Sequence, residues 1–191
     1  MKDWFGTLLL AFFLGGCVCT PAVIGAQAVT LRPQETNMWC WAASGQMVME
    51  FLGHGVSQCT QANNRFGRSD CCNSKVPIAC VNGGWPEFDK YNFDFKTTSN
   101  APLTWNQVRE QIFCKKKPFD FSWHWAGGGG HMMSVIGYVS VSGTDYVTIN
   151  DPWPPPSSGV PGGDQRVVTY DAYVSGSGYT HWNDYYDVTF K

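Results

Sequence analysis

After Lys117 the chain carries one run after another in which aromatic or branched residues alternate with polar or small ones. "PFDFSWHWA", "HMMSVIGYVSV" and "DYVTIND" read as half-buried strands, the last two joined by a turn at "SGTD". "QRVVTYDAYV" and "YYDVTFK" supply two more. No helical pattern separates them, and parallel strands need crossovers of about that length, so a doubly wound parallel sheet is excluded. Antiparallel pairing remains. The preceding half has a different period. From Trp41 to Leu52, apolar residues at 43, 47, 48, 51 and 52 share one helical face, and Gly53 stands where the helix should stop. A second helix is expected from about Leu103 to Phe113, where Thr104 and Gln107 have capping-box spacing. Helices first and antiparallel strands second define an α+β fold. Its helical lobe covers residues 29–117 and its β lobe 118–191, with the working cleft between them. The stretch "DPWPPPSSGVPGGD" is a stiff Pro/Gly loop.

The first residues belong to another regime. Between Asp3 and Arg32 there is no charge, "LLLAFF" centres an apolar run, and Ala26 and Ala28 make a small-x-small cleavage signature. Residues 1–28 are therefore expected to be a secretory signal peptide cut after Ala28, leaving one domain over 29–191. Two rival readings are an uncleaved anchor and a lipoprotein signal ending at Cys17 in "LGGC". Secretion, or export to a periplasm, implies an oxidising compartment. Cys59, Cys71, Cys72 and Cys80 fall in a Gly/Asn/Ser-rich segment that needs cross-links to stay ordered. With no C-x-x-C pair there, two disulfides are favoured over zinc, and adjacent Cys71 and Cys72 should bond to different partners. That leaves Cys40 and Cys114, the latter expected as a buried, unpaired thiol. The net charge of −2 and the lack of a long basic run argue against nucleic acid as a partner. A monomer with no stable membrane association after signal removal is expected.

Cys40 stands where the first helix begins, and free N–H groups and the helix dipole there favour a thiolate, the form a nucleophile needs. A cysteine between Trp39 and Trp41 also suits simple packing. Gln34, kept extended by Pro33, can return beside Cys40 if the chain turns at "ETNM". Its amide and the Cys40 N–H would then face one point, as an oxyanion hole requires. His131 follows "AGGGG" and opens a strand, whereas His54, His124 and His181 have poorer settings for a base. No metal-ligand spacing links the histidines, and no cofactor is called for. "VTINDPW" offers Asn150 and Asp151 as acceptors to orient the imidazole, and strand alternation allows only one of them to face it.

Taken in order, Gln34, Cys40-Trp41-Ala42, Gly130-His131, Gly137-Tyr138 and Asp151-x-Trp153 resemble the papain-like cysteine proteases. The nearest likeness is to the bacterial avirulence-type effector proteases and their secreted relatives, over residues 33–191. The resemblance implies a papain-like two-lobed fold with disulfide-stapled loops. It also implies a Cys40–His131–Asp151 triad, Gln34 as oxyanion donor, and Trp153 as a shield or packing residue. The expected substrate is a protein or peptide. One departure is that no long pro-region separates the leader from Gln34. Transglutaminases and cell-wall amidases on related Cys-His-Asp scaffolds are the rival enzymes. A catalytically silent, disulfide-stapled binding module is the rival outside enzymology.

Overall fold

A computed structural model describes residues 19–157 and 159–191. The elements run β1 (Ile24–Ala26), α1 (Cys40–Phe51), α2 (Gln58–Phe66), β2 (Phe93–Thr97) and α3 (Trp105–Arg109), which continues as a π turn over Glu110–Cys114. Then come β3 (Phe119–Trp125), β4 (Gly130–Val141), β5 (Thr144–Asp151), β6 (Asp164–Thr169), α4 (Tyr170–Val174), β7 (Ser175–Gly176) and β8 (Tyr179–Phe190). All the strands belong to one antiparallel sheet of order β2-β8-β3-β4-β5-β6, with β1 on β4 and β7 on β8. The fold is α+β and papain-like.

Two cores flank the cleft. One is built by α1, α2 and the cross-linked loops around Trp39, Trp41, Val48, Met49 and Phe88. The other fills the sheet side with Phe119, Phe121, Val135, Tyr138, Ile149 and Tyr173. α1 is buried on nearly every side, from Trp41 to Gly45 and again at Met47, Val48 and Met49, so packing holds it in place. Its N-cap, Trp39, takes the Ala42 and Ala43 N–H groups on its carbonyl at 3.0 Å but has no side chain able to accept a hydrogen bond, so it does not cap the Cys40 N–H.

α2 was not expected, because its sequence "QCTQANNRF" has little apolar periodicity. It is held at its ends and by amides instead. Ser57 accepts from the Thr60 N–H, and Gly67 closes the helix in the left-handed region at φ 63°. Buried Gln61 donates to the carbonyls of Ala42 and Val56 at 2.8 and 3.0 Å. Cys59–Cys72 and Cys71–Cys80 then close the loop, so all four of those sulfurs are consumed and the vicinal pair bonds outward to different partners.

Three expectations require correction. Cys114 is not an unpaired thiol: it is bonded to Cys19. Residues 19–28, expected to end a leader, are part of the domain. β1 pairs with Gly137–Val139 of β4, Arg109 and Tyr138 each donate to this arm at 2.8 Å, and the Gln27 amide reaches the Ile112 carbonyl at 2.7 Å. A chain beginning at Val29 would lack all of these contacts. Residues 1–18, including Cys17, lie outside the described residues. Third, "YDAYV", residues 170–174, is not strand. Thr169 caps Ala172 at 3.1 Å and turns the chain into α4, which places Tyr173 in the core. The helical half also contributes one strand to the sheet, since β2 covers the edge of β8.

Candidate active site

α1 delivers Cys40 to one wall of the cleft and β4 delivers His131 to the other. Among the described residues Cys40 is the one cysteine outside a disulfide. As the first residue of α1, its N–H has no carbonyl a turn back to bond, and Trp39 offers no substitute. The chain reaches it through a bend in which Met38 has φ 69°, a conformation costly for a residue with a Cβ.

His131 is placed by the glycine run before it. The β3–β4 hairpin turns at Gly128 and Gly129, with φ 90° and 75°. At Gly130 an added Cβ would stand 2.5 Å from the Trp123 carbonyl oxygen and 3.0 Å from the Trp182 ring. Only glycine lets β3 and β4 close here, and that closure positions the imidazole. The plane of Trp125 lies parallel to it, at 13° with centroids 6.4 Å apart.

Asp151 ends β5, and its Oδ1 lies 2.6 Å from His131 Nε2 and accepts from the Trp153 N–H at 2.9 Å. Its Oδ2 lies 2.8 Å from Arg166 Nη2. With Nε2 engaged by Asp151, Nδ1 is left for the thiol. Burial by itself would lower the His131 pKa, but the bonds to Asp151 and Cys40 outweigh it and raise it to about 9. Burial likewise opposes the Asp151 charge, yet His131, the Trp153 N–H and Arg166 together hold its carboxyl below the usual range. Asn150 points the other way. It donates to the Val29 carbonyl at 3.2 Å and accepts from Gln165 at 2.7 Å, behind the site.

Gln34 is buried at the same cleft, with its backbone N–H bonded to the Pro152 carbonyl at 2.9 Å and one amide donor on the Thr36 carbonyl. Its second amide hydrogen is available to a ligand. The segment carrying it is clamped by buried Gln58, which accepts from the Glu35 N–H at 2.8 Å and donates to the Pro33 carbonyl at 2.9 Å. Neither Gln58 nor Arg166 was expected at the site. Both act across the fold, without a local motif to mark them. Trp153 keeps half its surface exposed, at 51 %, and holds Asp151 through its backbone, so the ring lying parallel to the imidazole is Trp125.

The cleft continues on both sides of the Cys40–His131 pair. One arm, about 300 Å³, runs past Gly83, Gly84, Trp85 and Trp182, and the other, about 430 Å³, past Trp125, Asp151 and Trp153. A cysteine at an open helix terminus, an imidazole anchored on its far nitrogen by a carboxylate and cleft space on either side of the pair suit a papain-like cysteine-peptidase architecture. The chain belongs to the Peptidase C39-like family, whose model matches residues 26–185. Its fold is also that of a solved structure from work on antibody cross-reactivity between the mite allergens Blo t 1 and Der p 1. That chain is 12 % identical, with a TM-score of 0.52 over 89 % of this chain and 73 % of the other. No curated protein matches the sequence.

Proposed function

We propose that the protein is an exported cysteine endopeptidase that cleaves peptide bonds with Cys40, His131, Asp151 and Gln34. Cys40 Sγ attacks the scissile carbonyl carbon while His131 holds the proton as an imidazolium. The oxyanion is met by the Cys40 N–H and the free Gln34 amide hydrogen. His131 then protonates the leaving amine, the C–N bond breaks, and a thioester with Cys40 remains. Water, deprotonated by His131, releases the acid and restores the thiol. Asp151 keeps the ring oriented with Nδ1 toward sulfur throughout. The observation that carries this reading is the 2.6 Å contact between Asp151 and His131 Nε2, with the imidazole's other side on the one unpaired cysteine among the described residues.

Cleft space on both sides of Cys40 and His131 leaves room for substrate residues on either side of the scissile bond, which supports internal cleavage. The three disulfides suit a secreted or periplasmic protein. The test is Cys40→Ala. It should abolish both peptide hydrolysis and labelling by a thiol-directed epoxide; hydrolysis that survives the substitution refutes the mechanism. Amine incorporation or muropeptide release in place of hydrolysis would reassign the acyl acceptor or the substrate.

A further inference from the structure

We propose that Arg166 is a positioning residue of the site: its guanidinium balances the charge of Asp151 and fixes the carboxylate plane, so that a buried aspartate can serve as imidazole anchor. This rests on the hydrolytic reading above.

Asp151 is nearly sealed from water, with 4 % of its side chain exposed, and both oxygens are bonded. Oδ1 takes the His131 Nε2 proton and the Trp153 N–H, and Oδ2 faces Arg166 Nη2 at 2.8 Å. The register explains why β6 can supply that partner. Arg166 sits opposite Ile149, two residues before Asp151, so its side chain reaches along the same face to the carboxylate. Its other contacts are weaker, Asp164 Oδ2 at 3.7 Å and the Met133 sulfur at 3.8 Å.

The need for such a partner follows from charge. His131 must hold a proton between Cys40 and Asp151 and still release it to the leaving amine. A buried carboxylate without a counter-charge would either bind the imidazolium too firmly or take up a proton itself and stop orienting the ring. A guanidinium on the oxygen away from histidine removes both outcomes, because the Asp151–Arg166 pair is neutral as a unit while Oδ1 still accepts the Nε2 proton. The titratable and charged groups facing this network are Cys40 from α1, His131 from β4, Asp151 from β5, and Arg166 and Asp164 from β6. Arg166 is itself partly exposed, so an ordinary surface pair at this position would contribute little to stability.

The experiment is the pH profile of kcat/KM for hydrolysis of a peptide library by the intact wild-type protein, Arg166→Met, Arg166→Gln, Arg166→Lys, Asp151→Asn and Asp151→Asn/Arg166→Met. Thermal melts of each variant accompany the profiles. Arg166→Met should lose about 10-fold or more and move both limbs of the profile up by about one pH unit, since carboxyl and imidazolium both lose a nearby cation. Arg166→Gln, which keeps a donor without charge, should shift the limbs in the same direction and serves if the Met variant does not fold. Arg166→Lys should keep the limbs in place. With Asn at position 151 there is no charge to balance, so Arg166→Met should then cost less than about threefold. An equal loss in both backgrounds, or a lower rate with unmoved limbs, overturns the proposal and leaves the hydrolytic mechanism standing. A wild-type protein without Cys40-dependent hydrolysis overturns the mechanism and the proposal together.

Discussion

Removing the Cys19–Cys114 disulfide tests whether the N-terminal arm is part of the domain. The bond spans 95 residues, against 13 and 9 for Cys59–Cys72 and Cys71–Cys80. The entropy a cross-link removes from the unfolded chain grows with the logarithm of that span. It gives ceilings of about 4.7 kcal/mol for the long bridge and about 2.9 and 2.6 for the short ones. Measured effects fall below such ceilings, so about 2–4 kcal/mol is expected from Cys19→Ser/Cys114→Ser. For a chain of this size that lowers Tm by about 5–15 °C. The arm would still be held by its pairing with β4 and by Arg109, Tyr138 and Gln27, so the variant should fold. A chain beginning at residue 29 loses those contacts as well and should melt lower still. The assay is calorimetry under non-reducing conditions, with intact mass reporting the oxidised pairs. A double serine variant that melts within 2 °C of wild type, taken as about the effect of 1 kcal/mol or less, would mean that the arm is not a structural member.

Further outcomes follow from single residues. Gly130→Ala should reduce kcat/KM by about 10-fold or more, because its Cβ meets the Trp123 carbonyl and Trp182 and must displace His131; steady-state kinetics decides. Gln34→Ala should reduce kcat by about 100-fold with a smaller change in KM, the mark of a donor used mainly in the transition state. Asp120 is fully buried beside Ser134 with its Oδ2 unpartnered, and burial pushes its pKa from 3.8 up to about 8. A carboxyl raised on folding stabilises the fold below its unfolded pKa and loses that contribution as pH climbs toward the folded value. Asp120→Asn should therefore flatten stability between about pH 4 and 8 and gain on the order of 2–4 kcal/mol near pH 8, read from urea melts across pH.

The sequence revealed the parts that have local signatures. The capping box at Thr104 and Gln107 forms, with the Thr104 N–H on Gln107 Oε1 at 2.9 Å, because both partners lie within one turn. The clustered cysteines pair among themselves because short loops bring them together. Asp151 rather than Asn150 faces His131, as strand alternation requires of one of them. Features resting on distant contacts were not legible. Cys19 lies in an apolar stretch that reads as leader, and nothing near it points to Cys114. Arg166 meets Asp151 only once β5 and β6 are in register. α2 carried its capping residues, Ser57 and Gly67, but its stabilising face is made of buried glutamines and a disulfide, which hydrophobic periodicity does not register.

In the proposed mechanism His131, charged and anchored by Asp151, activates Cys40. An isolated thiol loses alkylation rate about tenfold for each pH unit below its pKa of about 8.5. His131, bonded to Asp151 and Cys40, keeps its proton up to about pH 9 and can hold a positive charge beside the sulfur. The measurement is the rate of Cys40 alkylation by iodoacetamide from pH 5 to 10, followed by intact mass, in wild type and His131→Ala. The wild-type rate at pH 6 should lie within a few-fold of that at pH 8, and should collapse at pH 6 when His131 is removed. A wild-type rate that falls with pH as an isolated thiol does, unchanged by His131→Ala, would contradict this mechanism.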